Sequence, residues 1–345
     1  MSDPAQKRTR SLLDKKYGQV LFSVEAPLSR PSGRLSVSPV VDRLTGGGLR
    51  EGTVLSLAGK TGCHKTTLSL CLAAAAQAAG RHVYYVDVEA GLTDLLLDGI
   101  EGLSRDPAHF TRLGSSEGNI LPAETFLNAT LDVAQNHPGC FIIIDSISAL
   151  STEKELAGGV GTETRGGASK PVSQFMRCVR STLPINRVNI VGIIEMICNT
   201  SGMGAHFVEK SPEQWKYHCD HRLRATKFEK NFDKEGHLLG ADVTWHVDKN
   251  RHGRQFFELG TRFTYSTGSR KGGVDAMADA VALAEADRLV VPYGESKSVL
   301  SLAFLGDDPP RVNGRERLKA ALLENEAWLA ALKAKLAERH VTALP

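Results

Sequence analysis

Four short apolar runs, at residues 53–58, 82–87, 141–145 and 189–195, recur through the middle of the chain. Each is bounded by polar or glycine-rich segments and is built largely of Val, Ile and Leu, which predicts buried strands. Between them, apolar positions at helical spacing predict helices over 66–79, 122–136 and 170–183. Strands alternating with helices predict an α/β fold with a mostly parallel central sheet covered by helices. Further β-rich segments lie at 241–248 and 255–259.

Beyond residue 270 the pattern predicts a small α/β unit, with a helix over Ala276–Ala286, a strand in Leu289–Tyr293 and one long helix over about 315–339. In that helix Leu318, Leu322, Asn325, Leu329, Leu332 and Leu336 alternate spacings of four and three, and the stripe is expected to pack on its own unit. At the other end, residues 5–17 predict a short basic helix and Val20–Val24 a strand, joined to the rest by a Pro/Ser/Gly-rich linker from Pro27 to Ser38. The expected organisation is therefore an arm and linker at 1–38, a core at 39–270 and a small C-terminal α/β domain at 271–345. An arm of that size cannot bury a core of its own, so it is expected to dock elsewhere.

Composition narrows the picture modestly. The chain has 345 residues, 41% hydrophobic and 23% charged, with a net charge of +3, so any basic surface must be local. No apolar run is long enough to span a membrane, and the polar N-terminus has no signal core. Six scattered cysteines without a CxxC pair suit free thiols in a reducing cytosol. His218-Cys219-Asp220-His221 carries metal-capable side chains, but a lone short cluster of this kind is expected to be coincidental.

Chemistry concentrates in the segment after the first core strand. Gly59-Lys60-Thr61-Gly62-Cys63-His64-Lys65-Thr66-Thr67 has the frame of a phosphate-binding loop, with His64 where glycine is usual. Backbone N–H groups and the helix N-terminus concentrate positive potential on a phosphate. Lys65 adds a full charge, and the Thr66 hydroxyl can ligate Mg²⁺. A glycine at that position permits left-handed backbone; histidine there would cost about 1–2 kcal/mol, which nucleotide binding can absorb. Asp145 ends the apolar strand Cys140–Asp145 and can support Mg²⁺. Glu89, just past the strand ending at Asp87, is a candidate base for an attacking water. Glu195 ends a third strand and leads into a glycine-rich loop with apolar side chains, while residues 158–167 form a second such loop. Apolar residues in such loops suit either base stacking or folding back onto the core.

These pieces, in this order, resemble the bacterial RecA recombinase family. The resemblance is carried by Gly46-Gly47-Gly48-Leu49, the phosphate loop, Val86-Asp87-Val88-Glu89-Ala90, Ile144-Asp145-Ser146-Ile147-Ser148-Ala149-Leu150, Ser173-Gln174-Phe175-Met176-Arg177 and Asp248-Lys249-Asn250-Arg251. It spans nearly the whole chain, including Lys15-Lys16-Tyr17-Gly18 near the N-terminus. The changed loop glycine also resembles phage-encoded recombinases of the superfamily, on that one motif.

The resemblance implies a RecA-like ATPase core and an ATP-dependent helical filament on single-stranded DNA that pairs it with homologous duplex. By position, residues 59–67 would bind ATP, Thr66 and Asp145 would hold Mg²⁺, and Glu89 would activate water. Lys249 and Arg251 would reach the γ-phosphate of a neighbouring subunit. Arg165, Lys170, Arg177, Met196, Met203 and Phe207 would contact DNA. Lys216, Tyr217 and Arg222 fall at interface positions. Mediator and single-strand-binding proteins are partners the resemblance leaves open, and the expected location is a bacterial or phage-infected cytosol.

Three departures stand out. Glu195 replaces the family's γ-phosphate-sensing glutamine, Leu96 the aromatic that stacks on adenine, and Ser211-Pro212 a glycine pair. Two other readings stay open: a RadA-type branch-migration ATPase, for which the zinc module and protease-like domain are not seen, and a non-hydrolysing DNA-coating or regulatory filament. Under the catalytic reading, His64→Gly keeps or raises ATP turnover.

Overall fold

The computed structural model describes residues 4–18, 33–158, 167–199, 206–267, 270–294, 296–306 and 308–341. Residues 1–33 and 34–345 form two separate compact units. In the first, α1 (Pro4–Tyr17) is the expected basic helix, with Arg10 facing Asp14 one turn on. The strand expected at Val20–Val24 lies outside the described residues.

The second unit is built on a ten-stranded sheet. Its strands are β3 (Val54–Gly59), β4 (Val83–Asp87), β5 (Phe110–Gly114), β6 (Phe141–Asp145), β7 (Asn189–Asn199), β8 (His206–Glu209), β9 (His221–Phe232), β10 (Leu238–Asn250), β11 (Glu258–Thr264) and β12 (Gly273–Val274). A short antiparallel pair, β1 (Arg34–Leu35) and β2 (Leu49–Arg50), precedes them. The sheet order is β12-β11-β10-β9-β3-β7-β6-β4-β5, with β8 on the end of β7. From β9 to β5 all pairings are parallel, whereas β9–β12 and β7–β8 pair antiparallel. The sheet is thus mostly parallel, as the alternation predicted.

The helices are α2 (Pro39–Leu44), α3 (Lys65–Ala78), α4 (Asp94–Asp98), α5 (Ala123–Asn136), α6 (Glu153–Gly158), α7 (Ser169–Asn186), α8 (Glu213–His218), α9 (Ala276–Ala286), α10 (Arg315–Glu324) and α11 (Glu326–Val341). They cover both sheet faces, so the central strands are apolar on both sides. Leu55, Leu57, Phe141 and Ile143 enter the core shared with α2, α3 and α9, while Val54, Ala58, Ile142 and Ile144 enter the core shared with α5, α7 and α8.

Three sequence expectations are corrected. The long C-terminal helix is two helices, because Asn325 stops α10 and its side chain caps α11 by accepting from the Trp328 N–H at 3.1 Å. Leu318, Leu322, Leu332 and Leu336 still bury into the shared core. The strand expected at 255–259 lies at Glu258–Thr264 instead. The glycine-rich loop after Glu195 begins and ends as paired strand, with Met196 opposite Glu209 and Cys198 opposite Phe207. The segment after α9 adds an antiparallel sheet of β13 (Val291–Tyr293), β14 (Ser296–Ser301) and β15 (Arg311–Asn313). All six cysteines are free.

Candidate active site

The loop after β3 and the C-terminal ends of β4, β6 and β7 enclose a cavity of about 370 Å³. Its lining includes Lys65, Thr66, Glu89, Asp145 and Glu195, five residues singled out from separate motifs. The parallel register brings them together: Asp87 lies opposite Asp145, and Gly59 opposite Glu195. Ligand sites of open α/β sheets form at these strand ends.

Local chemistry shapes the phosphate loop. A Cβ on Gly59 would collide with the Cys63 sulfur, so only glycine fits there. His64 adopts the left-handed conformation, φ 60° and ψ 25°, and leads directly into α3. Lys65 is buried, and its ammonium donates to the carbonyls of Gly59 and Lys60 at 3.0 and 2.9 Å. That contact closes the loop around the cation. Lys60 itself reaches out of the loop, with its ammonium 3.6 Å from the centre of the Phe207 ring.

The acids are held with equal definition. Asp145 accepts from the Thr66 hydroxyl at 2.9 Å and from the Tyr85 hydroxyl at 2.6 Å, both on one carboxylate oxygen. Burial raises the Asp145 carboxyl above its usual range, against the pull of those two hydroxyls and the Lys65 charge. Burial, and then the Asp145 charge, push the Tyr85 phenol up, so it stays a donor. The Thr66 and Asp145 oxygens form a hard-oxygen donor set, and a divalent cation would offset the cost of burying that carboxylate. The residues present therefore fit Mg²⁺. Glu89 accepts a hydrogen bond from the Ser146 hydroxyl, which fixes one carboxylate oxygen and leaves the side chain on the cavity wall.

From Glu195 the chain runs straight into the β7–β8 hairpin. The Ser148 hydroxyl, in the 3-10 turn Ile147–Ala149 that follows β6, accepts from the Glu195 N–H at 2.8 Å and donates to the Lys210 carbonyl at 2.8 Å, pinning both legs of the hairpin to that turn. Lys170 and Arg177 are exposed on α7, and Phe207 is 43% exposed. Met196 is half-buried at the hairpin base. Arg165 and Met203 lie outside the described residues.

Lys249 and Arg251 are not at this cavity. They sit where β10 meets the first residues of β9 and β3, since Lys249 pairs with Arg222, and His221 with both Asn250 and Leu55. Lys249 donates to the Tyr217 carbonyl at 2.7 Å, and Arg251 faces Asp220 at 3.1 Å. The expected interface residues collect at the same end. Lys216 pairs with Glu213, Arg222 donates to both Glu209 oxygens, and Tyr217 is 68% exposed. Asp220, within the segment 218–221, is taken up by Arg180 and by the Val54 N–H. Burial lowers the neighbouring His221 to about 4.

Two residues that shape the cavity were not singled out from the sequence: Tyr85 supports the Asp145 carboxylate, and Tyr265 enters from the end of β11 as a cavity wall. Within the motifs, Ser146 holds Glu89 and Thr67 contacts His64. Leu96, at the position of the family's aromatic, instead packs against the core.

The chain is similar to known proteins along most of its length. A family model for the RecA N-terminal domain matches residues 28–270. A RecA protein of Nitratidesulfovibrio vulgaris (strain DP4) is 26% identical over 352 residues, covering 98% of this chain and 90% of the relative. A second, from Nitratidesulfovibrio vulgaris (strain DSM 19637 / Miyazaki F), is 27% identical over 348 residues, covering 97% and 89%. A solved structure of the RadB recombinase overlaps with a TM-score of 0.48 at 19% identity, covering 66% of this chain and 96% of that one. On the extent of the family match, this chain belongs to the RecA N-terminal domain family, recombinases that are DNA-dependent ATPases.

Proposed function

We propose that this protein forms helical filaments on single-stranded DNA and catalyses homologous pairing and strand exchange with duplex, with ATP bound between adjacent subunits. The observation that carries this reading is the separation of the two halves of the site. Lys249 and Arg251 stand level with the start of β3, whereas the phosphate loop follows its end. Lys249 is level with Ser56 and Arg251 with Val54, three and five residues of strand before Gly59, or about 10 and 17 Å at ~3.3 Å per residue. Cations at that remove cannot serve their own chain's phosphates; on a head-to-tail neighbour they can.

In the composite site, residues 59–67 wrap the phosphates with backbone N–H groups, and Lys65 supplies charge. Thr66 and Asp145 would hold Mg²⁺, which when bound neutralises the phosphate oxygens. Glu89, aimed by Ser146, takes the proton of the attacking water. Lys249 and Arg251 of the adjoining subunit stabilise charge developing on the γ-phosphate. Lys170 and Arg177, the β7–β8 hairpin and the segments holding Arg165 and Met203 track the DNA backbone. Lys216, Tyr217 and Arg222 belong to the subunit contact, and residues 1–38 serve as a docking arm.

The test is steady-state ATP turnover with and without single-stranded DNA, alongside electron microscopy of the assemblies. Turnover stimulated by DNA, with filaments present, supports the reading. No turnover in either condition, with Lys65→Ala leaving DNA coating unchanged, would replace it by the non-hydrolysing filament.

A further inference from the structure

His64 occupies a backbone conformation that favours glycine, so its side chain must either be a burden or perform a task. The contacts around it point to a task. The imidazole stacks on Phe263, with ring centres 4.7 Å apart and planes within 11°, and Phe228 stacks beyond at 5.8 Å. Both ring nitrogens are engaged. Nδ1 meets the Thr67 hydroxyl at 3.1 Å, and Nε2 meets the Tyr265 hydroxyl at 3.1 Å. A neutral imidazole offers one donor and one acceptor, and each hydroxyl can play either part, so both contacts can be satisfied at once.

Tyr265 follows β11, three places from β3 in the sheet order β11-β10-β9-β3. Its backbone is tied to Leu239, while its side chain bridges to His64. Tyr265 lines the cavity, whereas Leu96 does not. A glycine at position 64 would leave the Tyr265 hydroxyl and the Thr67 hydroxyl without this link.

We infer that His64 is a positioning residue of the nucleotide site, holding the Tyr265 ring as a fixed wall for a nucleoside triphosphate and orienting the Thr67 hydroxyl toward its phosphates. The inference rests on the reading of the cavity as a nucleotide site. It makes the histidine a selected part of the loop rather than a tolerated departure. Its effect falls on ground-state binding, because the ring touches neither Glu89 nor Asp145, so affinity changes and the chemical step does not.

The experiment compares the full-length protein with His64→Gly, Tyr265→Phe and the double variant. Dissociation constants for ATP are read by displacement of a fluorescent ATP analogue, and kcat is read in the presence of single-stranded DNA. His64→Gly and Tyr265→Phe are each expected to weaken ATP binding five- to tenfold with kcat within twofold. The double variant is expected to be no worse than either single one. Glycine suits the left-handed backbone, so His64→Gly folds; His64→Asn, which also tolerates it but has a shorter reach, should fall between parent and glycine. The inference is overturned if either single substitution leaves affinity unchanged, if His64→Gly binds ATP more tightly, or if the two effects multiply in the double variant. A parent protein that binds no ATP would overturn the nucleotide-site reading itself, and this inference with it.

Discussion

The ammonium of Lys60 lies 3.6 Å from the ring centre of Phe207, joining the phosphate loop to the returning leg of the β7–β8 hairpin. One residue belongs to the loop proposed to hold ATP and the other to the hairpin proposed to meet DNA. A cation–π contact of this kind contributes about 0.5–1 kcal/mol at a partly exposed site. Lys60→Met should therefore lower the stimulation of ATP turnover by single-stranded DNA about two- to fivefold. Phe207→Ala should show at least that loss, and adding Lys60→Met to it should change stimulation little. Full stimulation in Lys60→Met would mean that the contact couples nothing.

Glu89 and its hydroxyl partner separate chemistry from binding. Glu89→Gln keeps the shape and the Ser146 contact but cannot take a proton. Turnover should fall about 100- to 10,000-fold while ATP affinity stays within a few-fold. Ser146→Ala frees the carboxylate without removing it, and a loss of about tenfold or less is expected. Steady-state rates beside direct ATP binding read both. A Glu89→Gln protein that hydrolyses ATP normally would assign the base elsewhere.

The proposed composite site can be tested by a mixing experiment. Lys65→Ala lacks a working phosphate loop but keeps Lys249 and Arg251, and Lys249→Ala is its mirror image. Each alone should be inactive. Mixed in equal amounts, they should recover a fraction of parental turnover, because some contacts unite an intact loop with intact cations. Arg251→Ala should destabilise the fold little, since Asp220 keeps its two hydrogen bonds to Arg180 at 2.6 and 2.7 Å. Two inactive variants that stay inactive when mixed would place the cations in their own chain's site.

Trp215 anchors the helix that presents Lys216 and Tyr217. It is fully buried, and its indole N–H donates to the Ser56 hydroxyl at 3.1 Å. A methyl group added at Gly192 would overlap the Trp215 ring. Gly192→Ala should cost about 1–3 kcal/mol of stability, read by chemical denaturation. Assembly should weaken as well, because α8 shifts with its tryptophan. An unchanged midpoint would show that the ring has room to yield.

Asp279 gives the fold a pH dependence of definite sign. It is buried, accepts from the Ser38 hydroxyl at 2.5 Å and the Arg262 N–H at 2.9 Å, and no cation among the described residues is paired to it. Burial, with Asp275 and Asp242 adding to it, raises its carboxyl to about 7. The unfolded value is about 3.9. Between those values the folded chain holds a proton that the unfolded chain has released, so stability from this group falls as pH rises from about 4 to about 7. Asp279→Asn removes that term, so the variant should gain on the parent at pH 8 relative to pH 5. His221 works in the opposite direction: folded near 4 against about 6.5 unfolded, it costs stability as pH drops through that window. A difference between Asp279→Asn and parent that is the same at both pH values would show that Asp279 does not titrate with folding.

Much of the fold was legible because its central strands are buried on both faces and so are nearly continuous apolar runs, as in Phe141–Ile144. β9 was not, because only His221 and Leu223 of His221–Phe232 are buried and the rest, rich in Arg, Lys and Glu, reads as a polar surface stretch. β5 was missed for a similar reason, being an edge strand with exposed Thr111 and Arg112. At Asn325 a regular leucine spacing persists through a helix break, and only the capping side chain marks the stop. Within the site, Lys65, Thr66, Asp145 and Glu89 were legible because their chemistry fixes residue type and local spacing. Tyr265 was not, since its place in the cavity depends on sheet order across more than 190 residues of chain separating it from the loop.

The opposed placement of the phosphate loop and the Lys249–Arg251 pair also gives any head-to-tail assembly two unlike ends. One terminal subunit carries an unfinished pocket, and the other carries cations with nothing to act on. An assembly of n chains then holds n − 1 complete sites, so turnover per chain climbs with length and vanishes for a lone subunit. Growth and loss at the two ends of such an assembly need not match.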